Sequence, residues 1–154
     1  MHAEFVTDDG GRDAAVALRM DVFVDEQGVP AEIEIDGRDE EAEHVVVRDP
    51  DDPTRAVATA RLLVVQGVGI VGRVAVRADR RRTGLGAVVM LAVEDRAVEL
   101  GLPVLELHAQ LTAEPFYARM GYQAYGETYL EAGIPHVSMR KTLIPADGPD
   151  RSGG

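Results

Sequence analysis

An arginine- and glycine-rich turn follows a valine-rich stretch, residues 71–76, in the middle of the chain. The stretch suits a buried strand, and the spacing Arg81-x-x-Gly84-x-Gly86 comes soon after it. Glycines let a main chain approach an anion, and a helix that begins at such a turn directs N–H groups and its dipole toward that anion. The pattern is neither a P-loop nor a complete dinucleotide fingerprint. It predicts a pyrophosphate-binding turn, with an ordinary strand-to-helix junction as the alternative.

Periodicity and stop signals predict the elements around this turn. Asp13 is the predicted N-cap of a first helix, which Gly28 and Pro30 end. The strand that leads into the turn is the fourth in order along the chain. Later elements are a helix over 85–100 ended by Gly101, a strand over 104–109, a short helix within 113–121, and a hairpin of 122–125 with 136–141.

A second motif follows the turn, Ala113-x-x-Phe116-Tyr117-x-x-x-Gly121-Tyr122. Together the two motifs resemble those of the GNAT superfamily of acyl-CoA-dependent N-acetyltransferases. Further stretches extend the resemblance toward the ElaA-like branch, so that it covers roughly residues 4–143. These stretches are Val22–Pro30, Leu107–Gln110 and Glu131–Met139.

The resemblance implies a fold and a cofactor. The fold is a single α/β domain over residues 1–144, with a mixed, mostly antiparallel sheet splayed between strands 4 and 5 and flanked by helices. Residues 145–154 have the composition of a disordered tail. The cofactor is acetyl-CoA (coenzyme A), and Gln110 stands where many members have Asn. The implied cofactor-binding residues are Val74, Ala75, Val76, Arg81, Arg82, Thr83, Gly84, Leu85, Gly86, Ala87, Gln110, Phe116 and Tyr117.

Amide formation sets requirements for a base and an acid. A lysine-type amine has a pKa near 10.4, so making it neutral at pH 7 costs about 4.6 kcal/mol, and a base must take its proton directly or through water. The departing thiolate needs a proton donor, and a phenol can supply it. Tyr117 is the family's position for that acid. A tyrosine that only packs its helix against the sheet is the alternative.

Several groups compete for the role of base and for binding the acceptor. Glu26 is favoured because apolar residues surround it in the sequence, and neutral histidines are rivals. His108 shares one face of its strand with Gln110 by alternation. A solvated acidic loop and histidines that only support the fold are the alternatives. The predicted substrate-binding residues are Glu26, Gln27, Glu32, Asp36, His44 and His136, and the predicted catalytic residues are Tyr117, Glu26 and His108.

Composition narrows the class of protein. The 154-residue chain suits one domain, and its formal charge of −11 argues against a nucleic-acid partner. It contains no cysteine, which excludes disulfides and cysteine catalysis, and we predict no metal site. No apolar run has the length of a membrane span, so we expect a cytoplasmic protein without a membrane partner.

The predicted reaction is direct acetyl transfer to a primary amine of a small molecule or peptide. An acyl-CoA-binding sensor or partner protein without turnover, or a transferase for another acyl group, would keep the same motifs. The sequence leaves the acceptor unidentified and a homodimer open.

Overall fold

The computed structural model describes residues 1–143, and the predicted tail 145–154 lies outside them. Seven strands, four α-helices and several 3₁₀ turns are present in this range, together with a π-helix at Met20–Glu26. The strands are β1 (Glu4–Phe5), β2 (Glu43–Asp49), β3 (Asp52–Val65), β4 (Val68–Val76), β5 (Val104–Gln110), β6 (Gln123–Glu131) and β7 (Ile134–Thr142). The helices are α1 (Asp9–Arg19), α2 (Ala31–Glu34), α3 (Leu85–Glu99) and α4 (Glu114–Arg119).

The chain forms two compact units. The first comprises Met1–Leu63 with Gly72–Val93, and the second comprises Val64–Val71 with the described chain from Glu94 onward. In the first unit β1, β2 and β3 pair antiparallel in that order. A core of small apolar side chains on α1, including Ala15 and Leu18, packs with Val46 of β2.

The second unit carries the parallel strand pair. Its ladder joins Gly69–Val71 of β4 to Leu105–Leu107 of β5, and β7 then pairs antiparallel with both β5 and β6. The β4–β5 ladder has three residue pairs, although both strands continue beyond it. The prediction of a mixed, mostly antiparallel sheet that opens between its fourth and fifth strands is confirmed.

The start of α1 differs from the sequence prediction. Asp8, not Asp13, caps the helix, and its carboxylate accepts a hydrogen bond from the Gly11 N–H at 2.8 Å. Gly10 and Gly11 lie in the first turn of the helix, and because glycine has a low helix propensity, the sequence did not indicate a helix start there. Gly11 is required there because a Cβ would come within 2.8 Å of the Val6 side chain.

The length and hydrophobicity of the helices decide whether any of them could span a membrane. Across residues 1–143 no helix is both long and apolar enough to cross a membrane.

Candidate active site

The predicted pyrophosphate turn forms the start of α3. Its first helical hydrogen bond runs from the Val88 N–H to the Gly84 carbonyl at 3.1 Å, so the N–H groups of residues 85–87 lie in the first turn, where helices leave donors unpaired. Gly84 has a φ of +87°, a conformation that glycine adopts without strain. A Cβ added there would meet no heavy atom of the described residues within 4 Å beyond its chain neighbours. The turn therefore has the donors and the open space that an anion needs.

Arg77 and Arg81, before and within this turn, pair with carboxylates, two of which lie far away in the sequence. Arg77 donates to Asp49 at 2.9 Å and to Asp79 at 2.7 Å, and these hydrogen bonds raise its pKa. Arg81 donates to the Val76 carbonyl at 3.0 Å and to Glu26. The structure therefore brings Glu26, a predicted base, into contact with a predicted cofactor-binding residue.

The remaining cofactor candidates of the first unit lie on β4 and on the turn. Ala75 is buried on β4 and its neighbours Val74 and Val76 are half-buried. Arg82 and Thr83 are exposed, and Arg82 adopts a φ of +65°, which is uncommon for a residue with a side chain. Such backbone positions cluster at ligand-binding sites.

Tyr117, the predicted acid, is a buried residue of α4. Its ring packs edge-on against Phe116, with centroids 5.0 Å apart, and against Tyr122 at 6.0 Å. Burial raises the pKa of the Tyr117 phenol to about 12. The phenol is therefore protonated throughout the neutral range and available as a donor.

The end of α4 is fixed by a polar cluster. Gly121 ends the helix as predicted, and the Tyr122 N–H returns to the Tyr117 carbonyl at 3.0 Å. The Tyr122 hydroxyl donates to Glu94 at 2.8 Å, and Lys141 donates to Glu94 at 3.1 Å and to the Met120 carbonyl at 2.8 Å. These bonds hold the backbone that carries Tyr117.

His108 belongs to a second polar cluster on β5, β6 and β7. Its Nδ1 lies 3.0 Å from Glu131 Oε1, and its ring meets the Tyr129 ring edge-on at 5.8 Å. Tyr129 stacks on His136 at 6.1 Å, and His136 Nε2 lies 3.9 Å from Glu131 Oε2. We call the four side chains His108, Tyr129, Glu131 and His136 the histidine cluster. The structure thus brings His108, a predicted base, and His136, a predicted acceptor-binding residue, around one carboxylate.

Glu131 and Tyr129 were not among the predicted site residues. The sequence signal that could have located them is the two-residue hairpin turn Ala132-Gly133. Both turn residues have positive φ, and they connect Glu131 of β6 to Ile134 of β7. That turn sets Tyr129 opposite His136 in the ladder.

The acidic segment after α1 is tied down by arginines. Arg19, fully buried, donates to Glu34 at 2.6 Å and to Asp39 at 2.9 Å. Arg61 forms a bidentate pair with Asp36, both bonds at 2.9 Å. The arginine–carboxylate network, as we name it, consists of Arg19, Arg61, Arg73, Glu34, Asp36 and Asp39.

Two carboxylates of this network have depressed pKa values. The Arg61 hydrogen bonds hold the pKa of Asp36 well below its usual range. For Asp39, burial opposes ionisation, but the hydrogen bonds from Arg19 and Arg61 outweigh it and lower the pKa. Glu32 and Gln27, two other predicted acceptor-binding residues, are exposed.

His44 contacts the arginine–carboxylate network through the backbone of Asp39. It is buried, and burial lowers its pKa, so its imidazole is neutral at neutral pH. Its Nε2 is 2.9 Å from the Asp39 carbonyl, which can only accept, so Nε2 carries the hydrogen.

Comparison with known proteins gives the class of protein. Residues 8–143 match the acetyltransferase (GNAT) domain. The chain therefore belongs to the GNAT family of acetyltransferases and is an acyltransferase.

Individual relatives agree with this assignment. The uncharacterized N-acetyltransferase YjcF of Bacillus subtilis (strain 168) is 41% identical over 128 residues, which is 82% of this chain and 89% of YjcF. An acyl-CoA N-acyltransferase from Pseudomonas aeruginosa has a TM-score of 0.82 and 30% sequence identity, and the match covers 92% of this chain and 100% of that protein. Escherichia coli ElaA has a TM-score of 0.81 and 26% identity, covering 92% and 99% of the two chains. The predicted resemblance to the family and to ElaA is confirmed.

Proposed function

We propose that this acyltransferase moves the acetyl group of acetyl-CoA directly to a primary amine of a small molecule or peptide. The observation that carries the proposal is the start of α3, where an open glycine turn presents first-turn N–H groups beside Arg81 and Arg82. Helix N-termini with this chemistry bind phosphate groups. Two similar proteins, an N-acetyltransferase and an acyl-CoA N-acyltransferase, support an acyl-CoA as the acetyl donor.

The proposed contacts to acetyl-CoA come from β4, the turn before α3, the end of β5 and α4. The pyrophosphate binds to residues 81–87, and the pantetheine arm pairs with the backbone of Val74–Val76 as an added strand would. Gln110, Phe116 and Tyr117 complete the proposed set. When bound, acetyl-CoA supplies the thioester carbonyl that the amine attacks.

Tyr117 is the proposed donor to the departing sulfur. Its pKa of about 12 keeps the proton on the phenol at neutral pH. An ordinary thiol has a pKa near 8.5, so complete transfer from this phenol to a thiolate is unfavourable in isolation. Tyr117 therefore acts most effectively as a hydrogen-bond donor while charge develops on sulfur, and solvent completes the protonation.

The acceptor is proposed to be cationic before it loses its proton. The proposed acceptor set is Glu26, Gln27, Glu32, Asp36, His44 and His136. Arginines pair with Glu26 and Asp36, so the exposed Glu32 is the member whose charge attracts an ammonium group. Glu26 and His108 are the candidate bases for removing its proton.

A screen with a thiol-release readout tests the proposed function. Acetyl-CoA is offered with polyamines, amino sugars, amino acids, aminoglycosides and peptide N-termini, and mass spectrometry identifies the acetylated product. At least one amine should release thiol and gain an acetyl group. Acetyl-CoA binding without turnover on any amine would instead favour an acyl-CoA-binding sensor. Transfer of only longer acyl groups would show that the acyl donor is not acetyl-CoA.

Once an acceptor amine has been identified, Tyr117→Phe tests whether the Tyr117 hydroxyl donates a hydrogen bond to the departing sulfur. The substitution should lower kcat by roughly a hundredfold to ten-thousandfold and leave the KM for acetyl-CoA nearly unchanged, because the interaction forms in the transition state. Tyr125→Phe is the matched control, since it removes the hydroxyl of a half-buried β6 tyrosine and should leave kcat unchanged. A loss below about threefold with chemistry rate-limiting would assign Tyr117 to packing alone.

A further inference from the structure

The contact between His108 and Glu131 fixes which histidine nitrogen carries the hydrogen. Glu131 Oε1 lies 3.0 Å from His108 Nδ1. An ionised carboxylate can only accept, so Nδ1 carries the hydrogen and donates it. The lone pair of the neutral imidazole is then on Nε2, which is the atom that can take a proton.

This contact crosses a strand. His108 is on β5 and Glu131 is on β6, and β7 pairs with both, with Ser138 opposite His108. The two side chains therefore meet over the face of β7 rather than as sequence neighbours. The tight turn at Ala132 and Gly133 and the Tyr129 ring at 5.8 Å from the His108 ring restrict both partners.

Exposure distinguishes this pair from a structural ion pair. The side chains of His108 and Glu131 are 53% and 44% exposed. Exposed ion pairs contribute about 0–1 kcal/mol to stability, so folding alone gives little reason to align them across three strands. An accessible imidazole with a fixed tautomer is, by contrast, what proton abstraction requires.

The rival base is held differently. Glu26 accepts a hydrogen bond from Arg81, a residue of the proposed pyrophosphate turn. The Glu26 carboxylate is thus hydrogen-bonded to a guanidinium. In His108, by contrast, Nδ1 faces Glu131, and Nε2, the nitrogen that can accept a proton, is directed away from Glu131.

We propose that His108 is the general base of the acetyl transfer and that Glu131 is the residue that positions it. This inference rests on the proposed function. His108 Nε2 takes the ammonium proton and so frees the lone pair of the amine, which forms the C–N bond as the C–S bond breaks. The second N–H proton leaves the nitrogen through water as the amide forms. The thiolate receives its proton with the help of Tyr117, and the imidazolium returns its proton to solvent.

Four variants and a double variant test the pair, using the acceptor found in the screen. His108→Gln should lower kcat about a hundredfold or more, because general base catalysis contributes that much. Glu131→Gln should lower it about tenfold or more, with Glu131→Asp recovering part of the loss. In the His108→Gln background, Glu131→Gln should have no further effect, because a positioning residue acts only through its partner. Glu127→Gln, an exposed carboxylate of the same strand, is the control and should match the wild type.

Nitrogen-15 NMR of the full chain gives a readout that does not depend on turnover. At a pH where His108 is neutral, the wild type should show the Nδ1–H tautomer. Glu131→Gln should shift the ring toward a mixture with Nε2–H, and Glu127→Gln should leave it unchanged.

Each result supports or overturns the pair. If the wild type acetylates an amine while His108→Gln keeps kcat within about threefold with chemistry rate-limiting, the base is wrong and the proposed function stands. If Glu131→Gln is equally damaging with and without His108, Glu131 does not act through the histidine. A wild-type Nε2–H tautomer would also overturn the positioning role. If the wild type acetylates no amine in the screen, the proposed function fails and this inference fails with it.

Discussion

The arginine–carboxylate network of the first unit and the histidine cluster of the second are built from the same ingredients, basic side chains and carboxylates. Their surroundings differ. The side chains of Arg19 and Glu34 are 1% and 2% exposed, whereas those of His108 and Glu131 are about half exposed. The exposed pair is accessible to solvent and the buried pair is not. The type of base differs as well, because a guanidinium keeps its charge at any accessible pH whereas an imidazole can gain or lose a proton near neutral pH.

Burial also explains why the network has so many bonds. Removing a charge from water is costly, and the cost is recovered only when each charge has several well-placed partners. Arg19 meets Glu34 and Asp39, and Arg61 meets Asp36 and Asp39. In the histidine cluster the side chains of His108 and Glu131 are exposed to solvent, so these two groups need fewer partners, whereas His136 is buried.

The largest expected effect comes from breaking the buried side of this comparison. Arg19→Met removes the guanidinium that pairs with both Glu34 and Asp39 and leaves Glu34 buried with Arg73 as its remaining partner in the network. The free energy of unfolding should fall by up to about 3–5 kcal/mol. Arg38→Met is the matched control, because Arg38 pairs with Glu41 on the surface, and should cost less than about 1 kcal/mol. Urea unfolding of both variants measures the difference, and equal losses would contradict the distinction.

Acid should remove the stability that the arginine–carboxylate network contributes. The pKa of Asp36 and that of Asp39 are lowered in the folded state, chiefly by hydrogen bonds from Arg61 and Arg19. A depressed folded-state pKa stabilises the protein above the unfolded value near 3.9, and this contribution is lost as pH falls toward the folded value. The free energy of unfolding should therefore decrease steadily below about pH 5.

Asp36→Asn should flatten that pH dependence, because it removes one of the protons taken up on unfolding. Measuring urea midpoints from pH 7 to pH 2 checks this. An unchanged slope in the variant would mean that Asp36 titrates alike in the folded and unfolded chains.

The smallest expected effect concerns an exposed pair, Glu26 with Arg81, whose side chains are 38% and 44% exposed. If Arg81 binds pyrophosphate, Glu26 competes for it, and Glu26→Gln should tighten coenzyme A binding by up to about fivefold, the worth of an exposed ion pair. Glu40→Gln, another exposed carboxylate, is the control. Calorimetry at low and high salt measures both, and weaker binding in Glu26→Gln would show that the pair orders the turn instead.

Features set by neighbouring residues could be predicted from the sequence. The prediction placed α3, β5 and α4 close to their observed bounds, because apolar spacing, Gly101 and Gly121 are local signals. The π-helix at Met20–Glu26 was missed because its side-chain pattern differs little from that of an α-helix.

Pairings between distant residues could not be predicted. Arg77, Arg80, Arg81 and Arg82 look like an isolated basic patch in the sequence, yet Asp49 pairs with the first two and Glu26 with the third. Likewise, Glu131 meets His108 only because a two-residue turn sets the strand register. Composition carries no information on such contacts, which depend on tertiary packing.

The environment of Lys141 has a consequence for the protein's own chemical durability. An acyltransferase works with thioesters, which also acetylate accessible lysines without catalysis. Lys141 is the chain's only lysine, and its amino group donates hydrogen bonds to the Glu94 carboxylate and the Met120 carbonyl. Every other basic side chain that carries a permanent charge is an arginine, whose guanidinium is a poor nucleophile. Under the proposed function, the thioester donor therefore meets one lysine side chain on this protein, and that side chain is already hydrogen-bonded.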